Sequence, residues 1–116
     1  RVEENFERCS TELKDLYYEL EAFLFTLGDD VQKKTLERYV AFKRIKNFAC
    51  IEFQSVHNRI QFTLKVDPSK IDLEDGFSRD VSQIGHYGTG DLQVAIHNQA
   101  DLKKALPLIE ESYQAS

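Results

Sequence analysis

From Ile60 to Val66 the chain alternates without a break. Ile60, Phe62, Leu64 and Val66 are apolar, and Gln61, Thr63 and Lys65 lie between them. Only an extended strand puts every second side chain on one side, so this run is a strand with one buried and one wetter face. Two earlier runs share the period. Arg38–Ile45 sets Val40 and Phe42 against Tyr39, Ala41 and Lys43. Asn47–Ser55 sets Ala49, Ile51 and Phe53 against Phe48, Cys50, Glu52 and Gln54. Lys46-Asn47 and His57-Asn58 are short enough to be hairpin turns, which makes the three strands an antiparallel meander. Asp67-Pro68 ends the third strand, because proline cannot donate to a ladder.

The flanks carry a different period. Phe6, Leu13, Leu16, Tyr17, Leu20, Phe23, Leu24 and Leu27 recur at spacings of three and four, the stripe of an amphipathic helix. Ser10 is its N-cap, and Gly28 with Asp29-Asp30 is its stop. After a long acidic stretch, Ser69 to Asp80, a fourth strand runs from Leu92 to His97 with Leu92, Val94 and Ile96 inward. A last helix starts at Asn98 or Asp101 and buries Leu102, Ala105, Leu106, Ile109 and Tyr113; Pro107 belongs near its first turn or kinks it. The expected fold is α+β: N-terminal helix, three-stranded antiparallel meander, long loop, fourth strand and C-terminal helix, with both helices on one face of the sheet.

The length of 116 residues fits one domain spanning residues 1–116. The chain starts at Arg1 and has no Met, and the polar segment Arg1–Glu7 reads as the tail of a linker. Both features point to a domain excised from the C-terminal part of a larger protein. No apolar run approaches the roughly 18–20 residues of a membrane span, and no signal peptide opens the chain. Two cysteines without a C-x-x-C make neither a disulfide framework nor a zinc site. The expectation is a cytoplasmic chain with no membrane, metal or cofactor.

The net charge of −5 argues against a generic nucleic-acid coat. The average conceals a partition. Residues 1–36 carry net −4, residues 37–70 net +4 and residues 71–116 net −5. Lys43-Arg44-Ile45-Lys46-Asn47 makes a basic hairpin tip, the best place along the chain for a phosphate or another anion. Beside it, the wet face of the sheet collects Lys43, Cys50, Glu52, Gln54, Gln61, Thr63, Lys65, Gln93 and His97, with Tyr39 and Phe48 at its edges. Such a face can stack and pair nucleotides, or it can be a solvated surface laced with cross-strand ion pairs.

A second candidate is the loop Ile84-Gly85-His86-Tyr87-Gly88-Thr89-Gly90-Asp91, which holds three of the five glycines. Glycines let a loop aim its N–H groups at an anion, and His86 and Asp91 add a titratable group and an acceptor. The plainer alternative is a tight turn into the fourth strand. The spacing G-x-x-G-x-G matches neither a P-loop nor a dinucleotide fingerprint. Enzyme constellations are incomplete. Glu52-Phe53-Gln54 lacks the lysine of a restriction-type nuclease, Cys50 has no sequence-local base, and Asp72-Leu73-Glu74-Asp75 lacks calcium-loop spacing. A small enzyme would have to assemble His86, Glu52 and Asp91.

Taken together, Tyr39-Val40-Ala41-Phe42-Lys43-Arg44, Asn47-Phe48 with Ile51-Glu52, and Arg79-Asp80-Val81 leading to the glycine loop resemble a small family of uncharacterised prokaryotic domains of unknown function. Such domains often end larger proteins. Some relatives bear the label "predicted transport protein", and others are joined to nuclease-like or restriction-associated domains. The resemblance spans roughly residues 20–114, and Gly-His-aromatic-Gly-x-Gly-Asp is its most specific block. The chain departs at Cys50, where relatives carry an acidic or small residue, and at Phe53, often proline. Those departures speak against a carboxylate pair at positions 50 and 52.

The reading is a non-catalytic module that holds nucleic acid or another anion through Lys43, Arg44, Lys46, Glu52, Lys65, Gly85, His86, Tyr87, Gly88, Gly90 and Asp91. It would act beside other domains of its parent protein. The alternative is a protein-interaction or dimerisation domain that buries the open sheet face, including Tyr39 and Phe48, against a partner.

Overall fold

A computed structural model describes residues 1–116. Its elements in chain order are α1 (Val2–Glu7), α2 (Thr11–Thr26), β1 (Gln32–Thr35), β2 (Val40–Lys43), β3 (Asn47–Gln54), β4 (Arg59–Leu64), β5 (Ser78–Asp80), β6 (Leu92–Ile96) and α3 (Gln99–Gln114). The six strands form one antiparallel sheet in the order β1-β2-β3-β4-β6-β5. The α+β class and the one-sided placement of the helices stand as the alternation implied.

Register carries the core across the sheet. Val40 pairs with Ile51, Ile51 with Phe62 and Phe62 with Val94. These side chains face Leu13, Leu16, Leu20 and Leu24 of α2 and Ala105 and Ile109 of α3 within one core of 26 buried residues. Each fully buried Leu, Ile, Val or Phe contributes about 1.5–3 kcal/mol, which is why a period-two pattern this regular dictates the fold.

The N-terminal segment is not one helix, and residues 2–7 are not a linker tail. The stripe breaks at Arg8–Ser10, where the Ser10 hydroxyl accepts from the Leu13 amide at 3.1 Å and starts α2. Val2 in α1 is 1% exposed, its amide donates to Glu37 O at 2.8 Å, and Phe6 packs edge-on against Phe53 at 4.9 Å. Buried apolar contacts hold this segment to the sheet, and a linker has none.

Two strands carry no apolar alternation. All four residues of β1 are exposed, and β5 is Ser78-Arg79-Asp80 at the other edge. Edge strands this short are held by backbone ladders, which leave no pattern in hydrophobicity.

Phe48 does not border the outer face. Phe42 pairs with Ala49 and Lys43 with Asn47, so Phe48 is the extra residue of a β-bulge. It turns to the helix side, 1% exposed, and meets Tyr113 edge-on at 5.3 Å. Ser112 closes the irregularity: its hydroxyl donates to Phe48 O at 2.6 Å and accepts the Lys65 amide at 2.8 Å.

Asn98 caps α3 by accepting from the Asp101 amide at 2.9 Å. Pro107 sits in the interior of the helix and not in its first turn. The carbonyl that loses its partner belongs to Lys103, which is exposed, so water can satisfy it. No helix is long and apolar enough to cross a membrane.

Candidate functional site

The sheet face turned away from the helices carries one row through all six strands. Lys34 pairs with Ala41, Ala41 with Cys50, Cys50 with Thr63, Thr63 with Gln93 and Gln93 with Arg79. At the usual strand spacing the row spans roughly 24 Å. Both ends are cationic. Neighbouring rows add Gln32 beside Lys43, Glu52 beside Gln61 and Ala95, and Gln54 beside Arg59. By register this face presents Lys34, Lys43, Arg59 and Arg79 against one carboxylate, Glu52.

The centre of the row is not open to water. Cys50 is 2% and Thr63 1% exposed, because the glycine loop folds back across them. The expectation of a wet face therefore fails at these two residues and at Gln61, which is also buried. Gly88 has φ +82° and lies over both: a Cβ there would stand 2.5 Å from Cys50 Cβ and 3.1 Å from Thr63 Oγ1. Gly90, at φ +112°, sits on the backbone of Leu64, where a Cβ would collide with the carbonyl. Gly85 has open space around it. Two of the loop's glycines thus serve close approach and left-handed backbone. Thr89 Oγ1 lies 3.8 Å from Cys50 Sγ. The Thr63 hydroxyl is buried without a partner.

Burial pushes the Glu52 carboxyl above its ordinary range, with His86 near enough to oppose part of that shift. The His86 ring Nδ1 lies 3.1 Å from Tyr87 O. Tyr87 is half-exposed, with the Arg38 guanidinium 5.6 Å from its ring centroid. Asp91 is elsewhere. It shares a shallow cleft of about 450 Å³ with Lys65, Asp67 and Gly90, where two carboxylates offset the lysine.

The hairpin tip is divided. Arg44 is already engaged: its Nε donates to Asp30 Oδ2 at 3.0 Å, and its guanidinium lies 4.6 Å from the Tyr113 ring centroid. The Tyr113 hydroxyl donates to Asp30 Oδ1 at 2.6 Å. That hydrogen bond first, and the arginine second, hold the Asp30 carboxyl below its usual range. Gly28 is required beside them by space, since a side chain there would strike the Tyr113 hydroxyl. Lys46 and Ile45 are exposed, and Lys43 is half-buried. His97 is drawn away from the face to Asp101, with Nδ1 3.1 Å from Oδ2.

A second, polar cleft of about 310 Å³ opens between β4, β6, β5 and the turn at Gly76. Gln54, Arg59, Gln61, Arg79 and Gln93 reach into it. Sequence reasoning missed Lys34, Arg59 and Arg79. The signal for Arg59 was present, because it continues the phase of Gln61, Thr63 and Lys65. Arg79 lies on a strand that no periodicity marks. No three His, Cys, Asp or Glu residues converge as metal ligands, and both cysteines are free.

An uncharacterized protein of Haemophilus influenzae is 27% identical over 100 residues, covering 86% of this chain and 32% of that protein. The chain therefore spans about a third of the length of that relative. No solved structure matches the chain. The model of one family, described as a domain of unknown function (DUF5655), matches residues 2–116. With almost every residue inside that match, the chain belongs to this family of domains of unknown function.

Proposed function

We propose that the domain is a non-catalytic binding module for anionic ligands, foremost nucleic acid, and that its outer sheet face is the binding surface. One observation carries the reading: register collects Lys34, Lys43, Arg59 and Arg79 on this face against Glu52 alone. The acidic residues that make the chain net −5 are concentrated in residues 1–36 and 71–116. A local basic face on an acidic protein confines a polyanion to one side. Tyr87, half-exposed beside Arg38, adds a ring on which a base can stack.

The Haemophilus relative is about three times the matched length, which supports a role as an accessory part of a longer protein. A nuclease or restriction-associated parent is the setting that suits a nucleic-acid module. The alternative, dimerisation through the same face, loses an apolar anchor because Phe48 points into the core.

Fluorescence anisotropy with a labelled oligonucleotide at low salt tests the reading. Three to four phosphate contacts predict a log–log salt slope of about −2 to −3 for a single strand. Charge reversal at Lys34 and Lys43 together is expected to weaken binding and flatten the slope. Absence of any salt-dependent binding would overturn the proposal.

A further inference from the structure

We infer that the cleft floored by Ala95 and Gly76 is a subsite for one unstacked base of a single strand, with Arg59 and Arg79 holding the flanking phosphates. The inference rests on the outer face being the nucleic-acid surface and adds which form of nucleic acid it takes. The cleft exists because its floor is small. Ala95 sits on the sheet beside Gln61, and Gly76, at φ +80°, has no neighbour within 4 Å of where a side chain would begin. Its volume of about 310 Å³ lies at the lower end of the size of small-ligand sites, enough for one nucleotide and not for a base pair.

The lining has the chemistry of a base edge. Gln61 is 9% exposed, and its amide makes no hydrogen bond to the rest of the chain. What remains exposed of the residue includes that amide, whose two N–H donors and carbonyl acceptor are open to the cleft. Gln93 presents the same group on one side, and Gln54, whose carbonyl accepts from Arg59, presents its NH2 on the other. Amide side chains pair with the exposed edges of bases, which a duplex hides and an extruded base offers. The two arginines are available for phosphate. Neither forms a salt bridge, and the Arg59 Nε bond to Gln54 leaves its terminal nitrogens free. Arg79 and Gln93 are cross-strand neighbours, so phosphate and base contacts lie side by side.

The test compares a fluorescein-labelled oligodeoxyadenylate with its duplex, using the wild type, Ala95→Leu and Gln61→Met. Ala95→Leu fills the cleft without changing charge, and Gln61→Met removes the amide at nearly constant volume. The wild type is expected to prefer the single strand, and each variant to lose about tenfold of that affinity while its residual binding stays salt-dependent. Thermal melts of both variants verify that each is folded, and Gln61→Met carries the test if Ala95→Leu is not. Equal binding of strand and duplex, or unchanged affinity in a folded Gln61→Met, would overturn the subsite and leave the surface standing. Failure of the wild type to bind either form at low salt would remove the surface and the subsite together.

Discussion

Gly88 lies directly against Cys50: a Cβ on the glycine would stand 2.5 Å from the cysteine Cβ. The same residue holds φ +82°, so an alanine meets two penalties, a left-handed backbone and a collision. Gly88→Ala is expected to cost about 1–2 kcal/mol or to lift the loop off the sheet. Urea unfolding reads the first outcome. Faster reaction of the Cys50 thiol with a thiol reagent reads the second. Gly85→Ala is the control. Its surroundings are open, and its effect should stay within about 0.5 kcal/mol.

Thr63 beneath the loop holds a hydroxyl that is buried without a partner. Such a group forfeits about 1–3 kcal/mol of hydration with nothing in return. Thr63→Val keeps the branched shape that β4 packs and removes the orphaned oxygen. The variant is expected to be more stable by about 1 kcal/mol in chemical denaturation. A loss of stability would mean that the hydroxyl finds a partner in solution.

Glu52 titrates above its ordinary range because it is desolvated. A carboxyl whose folded pKa is raised binds more protons in the native state than in the unfolded one. Its unfavourable contribution is absent well below about pH 4 and grows as pH rises through the folded pKa. Glu52→Gln should therefore raise the thermal midpoint near neutral pH, and the difference should vanish in acid. A pH series of melting curves on both proteins checks the sign. An increasing advantage toward acid would contradict it.

Arg44 belongs to the cluster with Asp30 and Tyr113 and is not a free cation. Arg44→Gln is expected to lower the thermal midpoint and to leave oligonucleotide affinity close to that of the wild type. The Asp30 carboxyl is held low, so the cluster stabilises the fold above the ordinary aspartate range and releases that stability as pH falls through the lowered pKa. Arg59→Gln should do the opposite and weaken binding with little effect on stability. Anisotropy and melting curves on the two variants separate the roles.

Much of the architecture was legible in residue order. Ile60, Phe62 and Leu64 identified the buried face of β4, and the phases of Ile51 and Val94 identified the buried faces of the strands that the structure sets beside it. Ser10 marked the start of α2, and of the two candidates Asn98 and Asp101 for α3 the structure takes Asn98, each cap accepting a backbone hydrogen bond that the helix leaves open. The glycine loop stood out by composition, and Lys43 and Glu52 were correctly assigned to the outer face by parity. The edge strands were not legible. Gln32–Thr35 and Ser78–Asp80 bury too little to leave a pattern, and they exist because β2 and β6 offer unpaired backbone.

What the sequence by itself determined is parity: which side chains share a face, and so which face seeks a core. Parity follows from local geometry, since each peptide points its side chain opposite to the last. What only the tertiary structure decided is what meets each face. A bulge one residue long sent Phe48 into the core, the return of the loop buried Cys50 and Thr63, and the approach of Tyr113 and Asp30 engaged Arg44 in a local cluster. These are contacts between residues tens of positions apart, where the energy of a contact depends on a partner that no local spacing names.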